Sequence, residues 1–216
     1  MPGWRWLLVL VLFGPGCASY STRLSPRPIP KGETELGLSA DLWVSERKTQ
    51  GRATLPVAEM SLRYGLSERV DIGGKINLLG GELTAKVALL RNDVVAIAVA
   101  PGAGLQLSAA NTDNNNDLLI GTFHLPVLAG VRLGDSAEAI IGGKLLLHVP
   151  AGTGTDGGVN PGDLIFLPGG VLGLRLILGD NFALFPELNV HFPYNIDLER
   201  WRRVVFQGGL GFQFLL

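Results

Sequence analysis

The sequence predicts an all-β fold, an antiparallel up-and-down transmembrane β-barrel of about ten strands, and two observations predict it. Apolar and polar residues alternate with a period of two through most of residues 33–216, as they do in a two-faced strand. The links between these runs alternate between tight turns and longer polar loops, a pattern typical of strands that cross a membrane and return. The 30 glycines and 13 prolines disfavour helices, so β structure is expected throughout this domain.

The period-two pattern divides the domain into consecutive strands of about ten residues, long enough for a tilted membrane crossing. The predicted strands are 33–44, 58–64, 70–77, 83–90, 94–108, 123–133, 138–149, 171–178, 182–192 and 206–216. Tight links are expected at 65–69, 91–93, 134–137 and 179–181, and long ones at 45–52, 109–117, 150–168 and 193–203, with Gly80-Gly81 as a short exception. Because ten is an even number of strands, both chain ends of the barrel domain are expected on the tight-turn side.

The two faces of these strands differ in polarity. One consists almost entirely of Leu, Val, Ile, Ala and Phe, whereas the other carries Glu35, Asp41, Glu59, Arg63, Asp71, Lys75, Lys86, Arg132, Glu138, Lys144, Arg175 and Glu187. If the apolar face meets lipid, closing the sheet satisfies every backbone group and removes its edges. The charged face then lines a lumen narrow enough for side chains to fill, so we expect a salt-bridged interior rather than an open pore.

The N-terminus predicts export. Residues 1–17 combine Arg5, a short apolar core and small residues, as in a signal peptide. The sequence around Cys17 resembles the cleavage site of bacterial lipoproteins, which makes Cys17 a candidate for lipidation; cleavage after Ala18 is the alternative. Residues 18–32 contain Pro26, Pro28 and Pro30, which favours an extended tether rather than packed structure. The barrel domain is expected at 33–216.

Two segments of this domain resemble the bacterial outer-membrane β-barrel family. Residues 64–73, Tyr-Gly-Leu-Ser-Glu-Arg-Val-Asp-Ile-Gly, are similar to the strand-turn-strand repeat of these proteins, and residues 206–216 are similar to their closing strand. The chain ends on Leu216, whereas the family's last residue is usually aromatic, and Phe214 is the nearest equivalent. The resemblance implies a location in the outer membrane of a Gram-negative bacterium, with outer-membrane lipid as a partner.

Candidate sites are few. The net charge of −1 provides no basic surface for nucleic acid. Residues 152–157 match the glycine spacing of a dinucleotide loop, but no helical pattern follows them. Residues 111–117 offer oxygen ligands for calcium, although Asx-rich turns explain them equally well. Residues 201–203, Trp-Arg-Arg, could contact lipopolysaccharide at the outer rim.

Three functional hypotheses follow. The first is an outer-membrane barrel with a structural, small-solute or interaction role, without a catalytic site, cofactor or metal. The second is a lipid-modifying barrel enzyme that uses a rim histidine; His124, His148 and His191 fall on the lumen face, and His148 and His191 lie near long loops. The third is a soluble periplasmic β-sandwich lipoprotein, because a sandwich also alternates.

Overall fold

The computed structural model describes residues 21–47, 51–110, 116–152 and 162–216, and the side chains of 21–44, 56–107, 119–151 and 162–216. The predicted signal peptide with Cys17 lies outside the described residues, as do most of 111–117 and 152–157. Within the described ranges, no helix is long and apolar enough to cross a membrane.

The described strands form one antiparallel sheet that closes on itself. They are β1 (Thr34–Arg47), β2 (Gly51–Ser67), β3 (Val70–Asn77), β4 (Gly80–Arg91), β5 (Val95–Val99), β6 (Gly102–Ala110), β7 (Asn116–Arg132), β8 (Ala137–Gly152), β9 (Ile165–Ile177), β10 (Phe182–His191), β11 (Tyr194–Asn195), β12 (Arg200–Trp201) and β13 (Val205–Leu215). Each strand pairs with the next around the ring, and β1 pairs with β13 to close it. The wall therefore has ten strands, counting β5 and β6 as one and leaving out the two-residue strands β11 and β12. This confirms the predicted barrel and excludes the two-sheet sandwich.

The fifth wall strand is interrupted. The sequence predicts a continuous strand over 94–108, whereas the structure has β5 and β6 with a break at Ala100 and Pro101. Proline has no backbone N–H and cannot donate to the neighbouring strand. The Pro101 carbonyl still accepts from the Ala85 amide at 3.0 Å, so β4 pairs with both pieces.

The tight turns lie where they are predicted, and the strands run further at the opposite end. Gly134 and Gly179 adopt φ values of +72° and +111° in two of the turns, a region in which residues with a Cβ are strained. At the long-loop end, β1 continues to Arg47 and β2 begins at Gly51. The link between them is therefore much shorter than the predicted 45–52. Strand pairing needs no apolar alternation, so polar extensions of strands look like loops in the sequence.

The barrel is apolar outside and charged inside. Large hydrophobic residues point outwards on every wall strand, for example Leu62 at 55% exposure, Leu83 at 74% and Ile141 at 63%. Charged residues of the opposite parity are buried, including Asp71 at 0%, Lys86 at 2% and Lys144 at 2%. This assignment of the two faces is the one that the alternation predicts.

The closing seam provides a test of the register. Leu38 on β1 faces Phe212 on β13, and both are exposed on the outer surface. In a Cys17→Ser background, we expect Leu38→Cys/Phe212→Cys to form a disulfide on mild oxidation, because directly paired strand residues lie within bonding range. The measurement is the gel mobility of the oxidised protein with and without reductant.

The control pair is Leu38→Cys/Phe206→Cys, because Phe206 faces Val44 in the same register and so lies about 20 Å further along the seam. Equal cross-linking of both pairs would contradict the closed register.

Candidate functional site

The lumen is occupied by the chain's own N-terminal segment, residues 21–30, here called the inner segment. Ser21, Thr22, Leu24, Ser25 and Ile29 are between 2% and 9% exposed. The segment runs from the middle of the lumen towards the tight-turn end, where the chain turns at Gly32 and enters β1. This differs from the expected tether: the described part of 18–32 is packed, because the lumen wall supplies partners for its polar groups.

Lumen carboxylates bind the inner segment. The two oxygens of Glu187 accept hydrogen bonds from the backbone amides of Thr22 and Arg23 at 2.7 and 2.5 Å. Glu138 accepts from the Ser25 hydroxyl at 2.6 Å and forms an ion pair with Arg27 at 3.1 Å. The remaining contacts of this kind are Ser21 with Glu59, Arg23 with Asp41 and the Ile29 amide with Asp71. The segment therefore contacts acids on five wall strands.

Lumen lysines bind the segment's carbonyl groups. The Lys75 ammonium donates to the Ser21 carbonyl at 2.6 Å, and the Lys86 ammonium donates to the carbonyls of Ser25 and Arg27, both at 2.9 Å. A buried backbone needs a partner for each polar group. Proline lacks an amide hydrogen, so the prolines of the segment reduce the number of donors that the lumen has to satisfy.

Asp71 contacts both the barrel wall and the inner segment. Its side chain is fully buried between Arg63 of the neighbouring strand and Lys86, whose Nζ lies 2.9 Å from Oδ2. The same Oδ2 accepts the Ile29 amide hydrogen at 3.1 Å. One carboxylate thus forms ion pairs with two cations and holds the segment near its exit.

The wall is shaped to admit the segment. Leu24 packs with Ala100, Leu128 and Val171 in an apolar cluster. At Gly65, an added Cβ would lie 2.6 Å from the Ile29 carbonyl oxygen, and at Gly130 it would lie 2.6 Å from Cγ of Pro26. Both distances are shorter than van der Waals contact, so a side chain at either position would displace the segment.

The free space beside the first residues of the segment is small. A cavity of about 40 Å³ lies between residues 21–24 and the wall formed by β13 and β1–β4, room for only a few water molecules. Nearer the long loops, Leu146, Ile165, Leu167 and Val205 form a second apolar cluster, against which Trp43 packs. Trp43 points inwards, as its parity predicts. The interior is salt-bridged, as expected from the sequence, but the inner segment, and not wall side chains alone, fills it.

The histidines proposed for catalysis lie inside the barrel. His124, His148 and His191 are 6%, 4% and 0% exposed, so neither His148 nor His191 presents its ring on the outer surface. No group of three or more His, Cys, Asp or Glu side chains that could hold a metal occurs among the described residues. At the long-loop rim, Trp201 is 64% exposed and its ring packs against Tyr194.

The sequence carries a signal for the inner segment that the alternation does not reveal. Residues 1–32 contain no Asp or Glu, and Arg23 and Arg27 lie within the region expected to be a tether. Both arginines form ion pairs with lumen acids. A short basic segment next to a barrel with acids on its inner face is a pattern from which the occupied lumen could have been predicted.

No protein-family model matches the chain, and no curated protein matches it. Among solved structures, the chain is similar to Neisserial surface protein A, with 12% identity, a TM-score of 0.46, and coverage of 84% of this chain and 96% of that one. It is similar to the outer membrane protease OmpT from Escherichia coli at 8% identity and a TM-score of 0.47, covering 85% and 95%. It is also similar to Ail of Yersinia pestis, with 10% identity, a TM-score of 0.33, and coverage of 86% of this chain and 99% of that one.

The contacts of Asp71 predict a large loss of stability on its replacement. Asp71→Asn leaves Arg63 and Lys86 buried with less compensating charge, and breaking a buried pair costs about 3–5 kcal/mol. We expect the free energy of unfolding in detergent to fall by that amount, measured by urea titration of tryptophan fluorescence.

Glu68→Gln is the matched control. It removes an ion pair with Arg91 whose side chains are 74% and 38% exposed, and exposed pairs contribute about 0–1 kcal/mol. Equal losses for both variants would contradict the central position of Asp71.

Proposed function

We propose that this protein is an integral outer-membrane barrel whose lumen is closed by its own N-terminal segment, with a structural or interaction role and no catalytic site. The observation that carries the membrane assignment is the polarity of the barrel, which is apolar outside and charged inside, the reverse of a protein dissolved in water. An exterior of Leu, Ile, Val and Phe would be unfavourable in water over so large an area, whereas a charged interior fits a barrel surrounded by lipid.

Aromatic residues support this orientation in the membrane. Tyr64 and Phe214 are exposed near the tight-turn end, and Phe123, Phe192 and Trp201 are exposed towards the long-loop end. Rings at these two levels correspond to the interfacial girdles of membrane barrels. Phe182 packs against Phe212 and Phe214 with ring centroids 6.2 and 5.0 Å apart. This contact extends the girdle at the tight-turn end over neighbouring strands.

The occupied lumen favours a structural or interaction role over passage of small solutes. The described charges of the inner segment are paired with the wall, and the cavity beside its first residues is small. The buried positions of His148 and His191 support the absence of catalysis at the rim. In this proposal, the barrel holds the longer loops at the cell surface, where Trp201, Arg202 and Arg203 are candidates for contact with lipopolysaccharide.

Export and processing belong to the same proposal. Residues 1–17 would direct the chain out of the cytoplasm, and the mature protein would begin either at a lipidated Cys17 or after Ala18. The mass of the N-terminal peptide from the purified membrane fraction distinguishes the two, because acylation adds several hundred daltons.

Ion conductance tests the closed lumen. After reconstitution and flotation with liposomes, we expect the wild-type protein to give no steady current across a planar bilayer. The double variant Gly65→Val/Gly130→Leu should give discrete channel openings, because its new side chains occupy the space of Ile29 and Pro26.

Gly143→Val is the control, since a Cβ there meets nothing within 4 Å; it should remain silent. Retention of the gel shift between unboiled and boiled samples shows that each variant is folded. A steady wild-type current would overturn the closed lumen, and failure of the wild type to float with liposomes would overturn the membrane assignment.

A further inference from the structure

An open cavity of about 320 Å³ lies at the tight-turn mouth of the lumen. Its lining comes from the inner segment, the β2–β3 turn, the β4–β5 turn and the end of β7. The lining residues are Arg27, Glu68, Arg69, Arg91, Asn92, Asp93 and Arg132. Four guanidinium groups therefore surround one water-accessible space, against two carboxylates.

Two of the four arginines are held by the protein itself. Arg27 donates to the backbone carbonyls of Asn92 and Asp93 at 2.7 and 3.3 Å, and its Nε lies 3.1 Å from Glu138. Arg91 donates to the Glu68 carbonyl at 2.7 Å and lies 3.4 Å from the Glu68 carboxylate. These contacts fix the two groups at the wall of the cavity.

The other two arginines of the cavity are Arg69 and Arg132. Within the part of the chain that the structure describes, the side chains of Arg69 and Arg132 make no hydrogen bond or ion pair. All four guanidinium groups line the same cavity, so their like charges repel one another, and an anion between them would relieve that repulsion. Burial and the positive charges of Arg132 and Arg91 lower the pKa of Arg27, against the opposing effect of Glu138.

We propose that this mouth is a binding site for a phosphate group, held by Arg69 and Arg132 and completed by Arg27 of the inner segment. Guanidinium groups bind phosphate oxygens through paired, charge-assisted hydrogen bonds. The phosphate could belong to a lipid headgroup of the leaflet at this end of the barrel or to a free phosphate, and both present the same oxygens.

Phosphate binding at this site is coupled to the position of the inner segment in the lumen. Arg27 reaches the cavity only because residues 21–30 lie in the lumen. By linkage, a phosphate that binds only the seated arrangement also stabilises it. This inference goes beyond the proposed role of the barrel, and its phosphate test works in detergent regardless of membrane insertion.

Calorimetric titration of the full-length protein, in nonionic detergent and phosphate-free buffer, tests the free form with inorganic phosphate. Native mass spectrometry after transfer from nanodiscs of phosphatidylglycerol and phosphatidylcholine tests the lipid form. We expect saturable binding in at least one arm, weakened about tenfold or more by Arg132→Ala and by Arg27→Gln.

Arg200→Ala is the matched control, because Arg200 is an exposed arginine on β12 at the long-loop end; it should leave the affinity unchanged. Binding of inorganic phosphate identifies a site for free phosphate, whereas retention of phosphatidylglycerol alone identifies a lipid headgroup site. Absence of saturable binding in both arms, or equal weakening by Arg132→Ala and Arg200→Ala in folded proteins, would overturn the proposal.

Discussion

The structure depends on the pairing of charge inside a narrow, water-poor lumen. Isolated ionised groups are costly away from water, and a buried pair is tolerated only when its remaining hydrogen-bonding positions are filled. The wall alone pairs Asp71 with Arg63 and Lys86, but Asp41, Glu138 and Glu187 receive cations or amide donors from the inner segment. The barrel and the segment are therefore parts of one electrostatic arrangement.

This arrangement explains why a proline-rich stretch can occupy the lumen. Its prolines remove amide donors, its carbonyls meet Lys75 and Lys86, and Leu24 fills an apolar recess. Glycines such as Gly65 and Gly130 leave the space that it needs. Sequence features that look unrelated when read singly are explained by one packed interface.

Much of the barrel could be predicted from the sequence, because a period-two pattern reports directly which side chains share a face. The parity of Asp71, Lys144 and Trp43 was enough to place them in the lumen. The break at Pro101 and the extensions of β1 and β2 could not be predicted in the same way, since they depend on hydrogen bonding between strands. The basic character of the inner segment indicates an occupied lumen, but the choice of Asp41 as the partner of Arg23 and of Glu138 as the partner of Arg27 depends on contacts between residues distant in sequence.

The most direct test of the account is the accessibility of the inner segment. In a Cys17→Ser background, Ser25→Cys places a thiol at a site that is 8% exposed, and Lys31→Cys places one at an exposed site just outside the lumen. We expect a charged maleimide to label Lys31→Cys rapidly in the folded protein and to label Ser25→Cys only after boiling. Equally rapid labelling of both in protein that still shows the boiling-dependent gel shift would mean that the segment lies outside the barrel, and would contradict the account.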